Sequence, residues 1–494
     1  MSKPDPSQPS ARYAVLDRKR ELPRALMGGS EAMRKVGVKF CPKHVAETQQ
    51  QYDARMAATI LYAGFEDTVK KQTGKLFGKP ITLGEDVPEA VAALCDDIDG
   101  QGRALTPFMM DAMLHAMEAG VSYILVDFPD LTPEAKQPAA TLADQHAQGA
   151  RPYWVLVQAQ DLLSVKSESN GGNQKLSEVR IRECAVVAAD DFSEKEVTRV
   201  RVLRPGEWEL WEEHEDADKN KVWVIISKGK SSSGGITLVP IYTNRTGFME
   251  GEPPLYGLAE LNQDHWISSS EQRHALTFSR FAMLAISGVD AIEVKGLSVG
   301  PDVLLALPQG ATAAFLEHTG KGIESGFMDL DRIEKRMQGA GMTVRIENAG
   351  QVTATTSAID SNEQNAALAA IAQGMKDSIE EALDHTADML GSETGGGTVD
   401  VYDDFAKIAP QGTPDDLLKA RVSNNISKDT YWAELKRRHV LSEDFDAKKE
   451  AEALTKDLAT GAGPSPLPRP FSPVSAGPIP APGGPGPMPV KAAA

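Results

Sequence analysis

The chain has 494 residues, of which 41% are hydrophobic and 25% are charged. This composition is typical of a globular protein and excludes a wholly disordered chain. The net charge of −18 argues against a protein that grips DNA with clustered lysine and arginine. No apolar run approaches the ~18 residues of a membrane helix, so we predict no membrane association. The three cysteines, Cys41, Cys95 and Cys184, are too widely spaced for a disulfide framework or a zinc site, and they fit a reducing cytoplasm.

The first 25 residues lack a periodic apolar pattern and mix basic with acidic side chains. Two interpretations stay open for the N-terminal arm, residues 1–40: a solvated segment, or a basic arm that docks on a partner. A helical pattern then covers residues 42–72. Its predicted buried stripe consists of Val45, Tyr52, Met56, Ile60 and Ala63.

The next segments predict an α+β fold. Thr106 is a candidate N-cap and Gly120 a candidate left-handed C-terminal residue, with a helix between them. Residues 121–128 then read as a strand buried on both faces, and 153–158 as another strand. Residues 176–228 have the alternation and turn residues of an antiparallel meander.

The second half of the chain predicts long helices around a β-rich insertion. Residues 255–286 contain no proline, but their polar middle lacks a wide apolar face, which favours contacts within an assembly. A short β-rich segment, 288–320, precedes a helix at 324–338. An irregular loop at 343–355 leads into a long helix, 363–390, and residues 413–458 are helical again. Residues 461–494 contain 11 prolines and 6 glycines, which predicts a disordered tail.

No segment carries a convincing catalytic pattern. Thr73-Gly74-Lys75 has neither the earlier glycine nor the following hydroxyl of a phosphate loop, and Asp97-Ile98-Asp99-Gly100 lacks the anchoring ligands of a calcium loop. Asp127 follows a buried strand, where a carboxylate can be catalytic, but we prefer a residue that caps the turn before Pro129. We therefore predict that the protein is not an enzyme and has no metal or cofactor.

Several stretches, in order along about 350 residues, resemble the portal proteins of tailed bacteriophages, in a subgroup formerly catalogued as a domain of unknown function. No single stretch is a catalytic signature, but their order and number make the resemblance specific. The matching stretches are 68–80 (TVKKQTGKLFGKP), 98–105 (IDGQGRAL), 119–129 (AGVSYILVDFP), 151–165 (RPYWVLVQAQDLLSV), 240–262 (PIYTNRTGFMEGEPPLYGLAELN) and 300–337.

The resemblance implies a ring, usually a dodecamer, at one capsid vertex of the virion. Each subunit of this α+β fold would have a wing, a two-helix stem, a small β-rich clip and a helical crown. The implied division is an arm at 1–40, a wing at 41–254, stem helix 1 at 255–287, a clip at 288–320, stem helix 2 at 321–342, a channel (tunnel) loop at 343–356, a long wing helix at 357–392, a crown at 393–460 and the tail at 461–494.

The same resemblance places candidate site residues. The channel loop would present Arg345, Ile346, Glu347, Asn348, Gly350 and Gln351 to DNA. On the preceding stem helix, Lys335 and Arg336 are possible phosphate neighbours, although a solvated helix face explains them nearly as well. The clip contacts would be Val303, Leu304, Leu305, Leu307 and Phe315, which either bind the terminase or adaptor or pack into a small β-core between neighbouring clips.

The implied function is a head–tail connector that conducts double-stranded DNA, without sequence specificity, during packaging and genome ejection. Its expected partners are further copies of itself, the terminase large subunit, a head–tail adaptor and the major capsid or scaffold protein. Assembly would take place in the host cytoplasm. Two alternatives stay open: another oligomeric virion protein, such as an adaptor or capsid subunit, and a packaging ATPase, which the incomplete phosphate loop disfavours.

Overall fold

A computed structural model describes most of the chain. The described residues are 5–129, 150–190, 192–215, 221–231, 234–280, 283–288, 310, 312–316, 321–340, 354–403, 414–423, 425–437, 440–442 and 445–460. The chain forms two compact units, Met1–Ala406 and Lys407–Ala494. The first contains helices and antiparallel sheets, which confirms the predicted α+β class.

The N-terminal segment is helical and packed, so the prediction of a solvated or docking arm is wrong for its described residues. Tyr13, Leu16, Leu22, Leu26 and Met33 are buried. A buried arginine, Arg20, interrupts the apolar stripe and hides it from a search for hydrophobic periodicity. The helices of this segment are α1 (Ala11–Met27) and α2 (Gly29–Val36), followed by a 3-10 turn, Gly37–Lys39.

The helix predicted over 42–72 is two helices, α3 (Gln49–Ala58) and α4 (Gly64–Leu76). Tyr52 and Met56 are buried as expected, but Val45 and Ile60 lie outside both helices and are exposed. Thr48 caps α3 in a reciprocal capping box with Gln51, which starts the helix later than the apolar pattern suggested.

A three-stranded antiparallel sheet carries the main core. The helix preceding it begins after Ala104 rather than at Thr106, and Gly120 ends it with φ 90°, as predicted. The strand order is β3-β2-β9. The elements are α5 (Glu89–Leu94), α6 (Leu105–Ala119), β2 (Val121–Asp127), β3 (Tyr153–Val157) and β9 (Leu238–Tyr242).

The predicted meander is a five-stranded antiparallel sheet with its strands in chain order. The acidic residues from Glu212 to Glu215 belong to a strand of this sheet, and Glu212 forms an ion pair with Arg199 of the neighbouring strand. The strands are β4 (Leu162–Asn170), β5 (Asn173–Asp190), β6 (Ser193–Arg204), β7 (Glu207–Glu215) and β8 (Lys221–Lys230).

The predicted stem helix 1 is shorter than 255–287. It ends at Arg280, and residues 283–287 form a strand that pairs antiparallel with residues 312–316. The segment MLAIS is compatible with both structures, and pairing with a distant strand decides the outcome. The elements are α7 (Tyr256–Arg280), β12 (Met283–Ser287), β13 (Thr312–Leu316), α8 (Lys321–Gly339) and α9 (Ala354–Leu390).

Two short strand pairs complete the first unit: β1 (Thr82–Leu83) with β14 (Val399–Asp400), and β10 (Arg245–Gly247) with β11 (Glu250–Gly251). The first pair places residues 399–400, predicted in a helical crown, in a strand of the first unit. The adjacent glycines, 395–397, are closely packed against other parts of the first unit. A Cβ on Gly396 would lie 2.2 Å from the carbonyl carbon of Leu383.

In the second unit, the described residues form three helices: α10 (Pro414–Val422), α11 (Lys428–Arg437) and α12 (Ala447–Thr460). Trp432 and Leu435 are buried within it, and Trp432 packs edge-to-face against Phe445 at 5.7 Å between ring centroids. The predicted tail, 461–494, lies outside the described residues. In the described parts of both units, no helix is long and apolar enough to span a membrane.

Candidate functional site

The antiparallel pair α7 and α8 is the candidate site. Three polar contacts join the two helices. Their positions rise along α7 and fall along α8, as expected for antiparallel helices. His265 Nε2 lies 3.2 Å from Glu334 Oε1, Ser268 Oγ donates to Asp329 Oδ2 at 3.0 Å, and Gln272 Nε2 donates to the carbonyl oxygen of Ile323 at 2.7 Å. These contacts fix which levels of the two helices lie side by side.

Gly326 allows α7 and α8 to approach closely. A Cβ at this position would lie 1.9 Å from Gln272 Oε1. One face of α8 is apolar and carries the buried residues Ile333 and Met337, which pack with the N-terminal helices and with Trp266 of α7. The pair is therefore anchored to the body of the first unit along one side.

Several polar residues of α7 have partners within the same chain, so its polarity does not by itself indicate contacts with other subunits. Ser270 is fully buried and accepts a hydrogen bond from Arg55 Nη1 at 2.7 Å. Arg55 in turn forms a buried ion pair with Glu47 at 2.8 Å. The hydrogen bonds from Arg55 lower the pKa of Glu47 to about 2. Asn262 accepts from the backbone N–H of Phe65 at 2.8 Å.

The outer face of α8 carries the two sequence-predicted cations. Lys335 and Arg336 are both exposed, and Lys335 forms a 2.6 Å ion pair with Asp331, one turn earlier. The helix as a whole has four acidic and four basic residues, so it carries no net positive charge. Such a surface can lie beside a polyanion without binding it tightly.

Most of the other predicted site residues lie outside the described residues. These are the channel-loop residues Arg345, Ile346, Glu347, Asn348, Gly350 and Gln351, and the clip residues Val303, Leu304, Leu305 and Leu307. Phe315 lies in β13, directly opposite Leu284 of β12. The β12–β13 pair begins three residues after α7 ends and stops five residues before α8 starts, so it lies between the two helices along the chain.

The segments that resembled catalytic motifs have structural contacts. Residues 73–75 lie inside α4, where the backbone cannot form a phosphate-binding loop. The Asp127 carboxylate accepts from Arg201 at 2.8 Å and from the Tyr153 hydroxyl at 3.2 Å. Burial and the adjacent Asp127 charge raise the pKa of Tyr153 to about 12. Within the described residues, no three His, Cys, Asp or Glu side chains are grouped to hold a metal.

Sequence reasoning missed a set of buried hydrogen bonds through which N-terminal side chains hold the segment that enters α7. We call the side chains of Tyr13 and Arg20 the N-terminal clamp. Arg20 is 1% exposed and donates to the carbonyl oxygens of Ala119, Ala159 and Gly251. The hydroxyls of Tyr13 and Tyr123 both donate to the carbonyl oxygen of Met249 at 2.8 Å. The signal was present as Tyr13, Leu16 and Arg20 at spacings of three and four, but a charged residue is normally assigned to the solvent face.

The family comparison matches only part of the chain. A family described as "Domain of unknown function (DUF4055)" matches residues 254–390, which include α7, β12, β13, α8 and α9. No curated protein matches the chain.

Among solved structures, the chain is similar to chains from gene transfer agent (GTA) particles. For "Virion of native gene transfer agent (GTA) particle" the TM-score is 0.39 at 12% identity, covering 83% of this chain and 98% of that one. For "Neck of native GTA particle computed with C12 symmetry" the TM-score is 0.36 at 13% identity, covering 75% of this chain and 89% of that one. For "Neck of empty GTA particle computed with C6 symmetry" the TM-score is 0.37 at 11% identity, covering 88% of this chain and 99% of that one.

Proposed function

We propose that this protein is a structural virion subunit that forms a portal ring, the conduit for double-stranded DNA at one capsid vertex. The observation that carries the proposal is the antiparallel pair α7 and α8, which continues into the two-stranded β12–β13 ladder. A long helix, α9, follows the pair. This helix–strand–strand–helix order is the stem and clip arrangement that the sequence resemblance implies.

The charge of the chain suits a conduit. Duplex DNA carries one negative charge per ~1.7 Å of its axis, and a wall of lysine and arginine would hold it through counterion release. The subunit is acidic overall, and its α8 helix has balanced charges. A ring with such walls would let DNA pass with little resistance, with Lys335 of α8 and the predicted loop at 343–356 as the residues closest to it.

The proposed partners follow from position. A segment inserted between two antiparallel helices lies at one end of the pair, so the clip would meet the terminase large subunit during packaging and a head–tail adaptor afterwards. The wing would contact the major capsid or scaffold protein. The dodecameric state, the location at the portal vertex and assembly in the host cytoplasm are parts of the same proposal.

A packaging ATPase is the enzymatic alternative, and the placement of Thr73-Gly74-Lys75 within α4 disfavours it. An adaptor or capsid subunit is the structural alternative. The buried polar contacts of α7 with α3 and α4 do not separate these structural roles, because they support the fold of any subunit built this way.

The position of the protein in assembled particles tests the proposal. Particles carrying an affinity-tagged copy are labelled with gold and imaged. We expect label at a single vertex of each particle. Label spread over the whole capsid would indicate a capsid subunit, and ATP hydrolysis by the purified chain would favour the motor.

A further inference from the structure

The α7–α8 pair exposes two stripes of opposite charge. On α7, Glu260 and Asp264 are exposed and four residues apart, so they lie on one face of the helix. On α8, Arg332 and Arg336 are exposed at the same spacing. Within the described part of the chain, none of these four side chains forms an ion pair or a side-chain hydrogen bond.

Neighbouring charges on the same helices behave differently. Lys335 pairs with Asp331 at 2.6 Å, and Glu334 lies 3.2 Å from His265. Glu271, on the acidic side of α7, lies 3.7 Å from His44. The four unpaired charges are thus set apart from charges that find partners within the subunit.

Each stripe is locally unfavourable. Two like charges four residues apart repel one another and destabilise a helix. A partner of opposite charge facing each stripe would remove this cost. Met328 lies four residues before Arg332 and is 67% exposed, so the basic stripe also includes an apolar side chain that a partner would cover.

The stripes lie at nearly the same level along the helix pair. The contact between His265 and Glu334 shows which positions of the two helices lie side by side. Asp264 is next to His265 on α7, and Arg336 lies two residues after Glu334 on α8. At 1.5 Å per residue, the centres of the two stripes differ by about 4.5 Å along the axis. Cyclic symmetry leaves the height along the ring axis unchanged, so in a ring whose axis runs along the pair, the acidic stripe of one copy and the basic stripe of the next lie at nearly the same height.

We infer that Glu260 and Asp264 of one copy bind Arg332 and Arg336 of the next copy around the ring. The interface is heterologous, since each copy contributes a different stripe to each of its two neighbours. This inference rests on the proposed portal function, and it assigns Arg336 to a subunit contact instead of a DNA contact. Complementary stripes fix the register of the neighbours and disfavour wrong pairings.

Charge reversal and charge exchange test the inference. The acidic variant Arg332→Glu/Arg336→Glu places like charges opposite one another, and we expect the concentration for half-maximal ring assembly to rise about tenfold. The exchanged variant, which adds Glu260→Arg/Asp264→Arg, restores attraction and is expected to assemble like the native chain. The readout is sedimentation velocity at low and at high salt.

Arg273→Glu is the matched control. It lies nine residues from Asp264, half a turn around the helix at 100° per residue, and is also exposed. We expect no change in assembly, and circular dichroism confirms that all variants fold. Normal assembly of the acidic variant, or its failure to be rescued by exchange, overturns the inference. Absence of rings for the native chain instead overturns the proposed function.

Discussion

The guanidinium group of Arg20 donates a 2.6 Å hydrogen bond to the carbonyl oxygen of Gly251, 231 residues later in the chain. The same side chain reaches Ala119, at the end of α6, and Ala159, after β3. A single buried cation thus joins the N-terminal helix, the central sheet and the segment that enters α7. Burial lowers its pKa from the ordinary value, and the three carbonyl groups offset that cost by accepting hydrogen bonds.

Replacing this cation is expected to destabilise the first unit. Arg20→Leu leaves three buried carbonyl oxygens without their donor, so we expect the free energy of unfolding to fall by about 3 kcal/mol. Lys19→Met is the control, because the exposed Lys19–Glu252 pair contributes only about 0–1 kcal/mol. Chemical denaturation measures both variants. Equal stability of Arg20→Leu and Lys19→Met would show that the clamp is not stabilising.

The buried pair of Arg55 and Glu47 predicts a dependence of stability on acid. The pKa of Glu47 is lowered to about 2, so its contribution is complete above the ordinary value of 4.5 and is lost as the pH falls towards 2. Unfolding free energies measured from pH 6 to pH 2 are expected to fall less steeply for Glu47→Gln. Parallel curves for the two proteins would contradict this assignment.

Two glycines are expected to respond oppositely to alanine. Gly74 lies inside α4 with no atom near its missing Cβ, so Gly74→Ala is expected to raise the free energy of unfolding by about 0.5–1 kcal/mol. Gly396→Ala places a Cβ against the backbone of Leu383, and we expect a loss of about 2 kcal/mol. Thermal unfolding compares them. A lower free energy of unfolding for Gly74→Ala would contradict the placement of residues 73–75 inside a helix.

The predicted channel loop has a separate test. Deleting residues 347–351, which include Glu347 and Gly350, is expected to leave ring assembly unchanged and to impair DNA retention. Nuclease protection of packaged DNA measures the effect, with ring assembly followed by sedimentation as the control. A variant that packages and retains full-length DNA would show that this segment has no role in the conduit.

Local sequence patterns predicted the helices and strands whose structure follows from their own residues. The strand after Gly120 was evident because its continuous apolar residues fill a two-sided core, and the left-handed glycine ends the preceding helix. The long α9 helix was evident from its apolar repeat. The division of α3 from α4 was not, because the chain between them is held by tertiary contacts, such as the hydrogen bond from Arg34 to the carbonyl oxygen of Thr59.

The candidate site was only partly predictable. The order of α7, α8 and the β-rich segment between them followed from helix breakers and apolar spacing. The significance of the polar residues on α7 did not, since Ser270 and Asn262 find their partners more than 190 residues away. Sequence alone could not distinguish a polar face that contacts another subunit from one that is buried in its own.

The proposed function requires that this chain assembles into a ring around a channel. Negative-stain electron microscopy of the purified protein, at micromolar concentration and across a range of salt, tests it most directly. We expect rings of uniform size with a central hole, formed without nucleotide or metal. A field of monomers under all these conditions, or closed shells without a central hole, would contradict it.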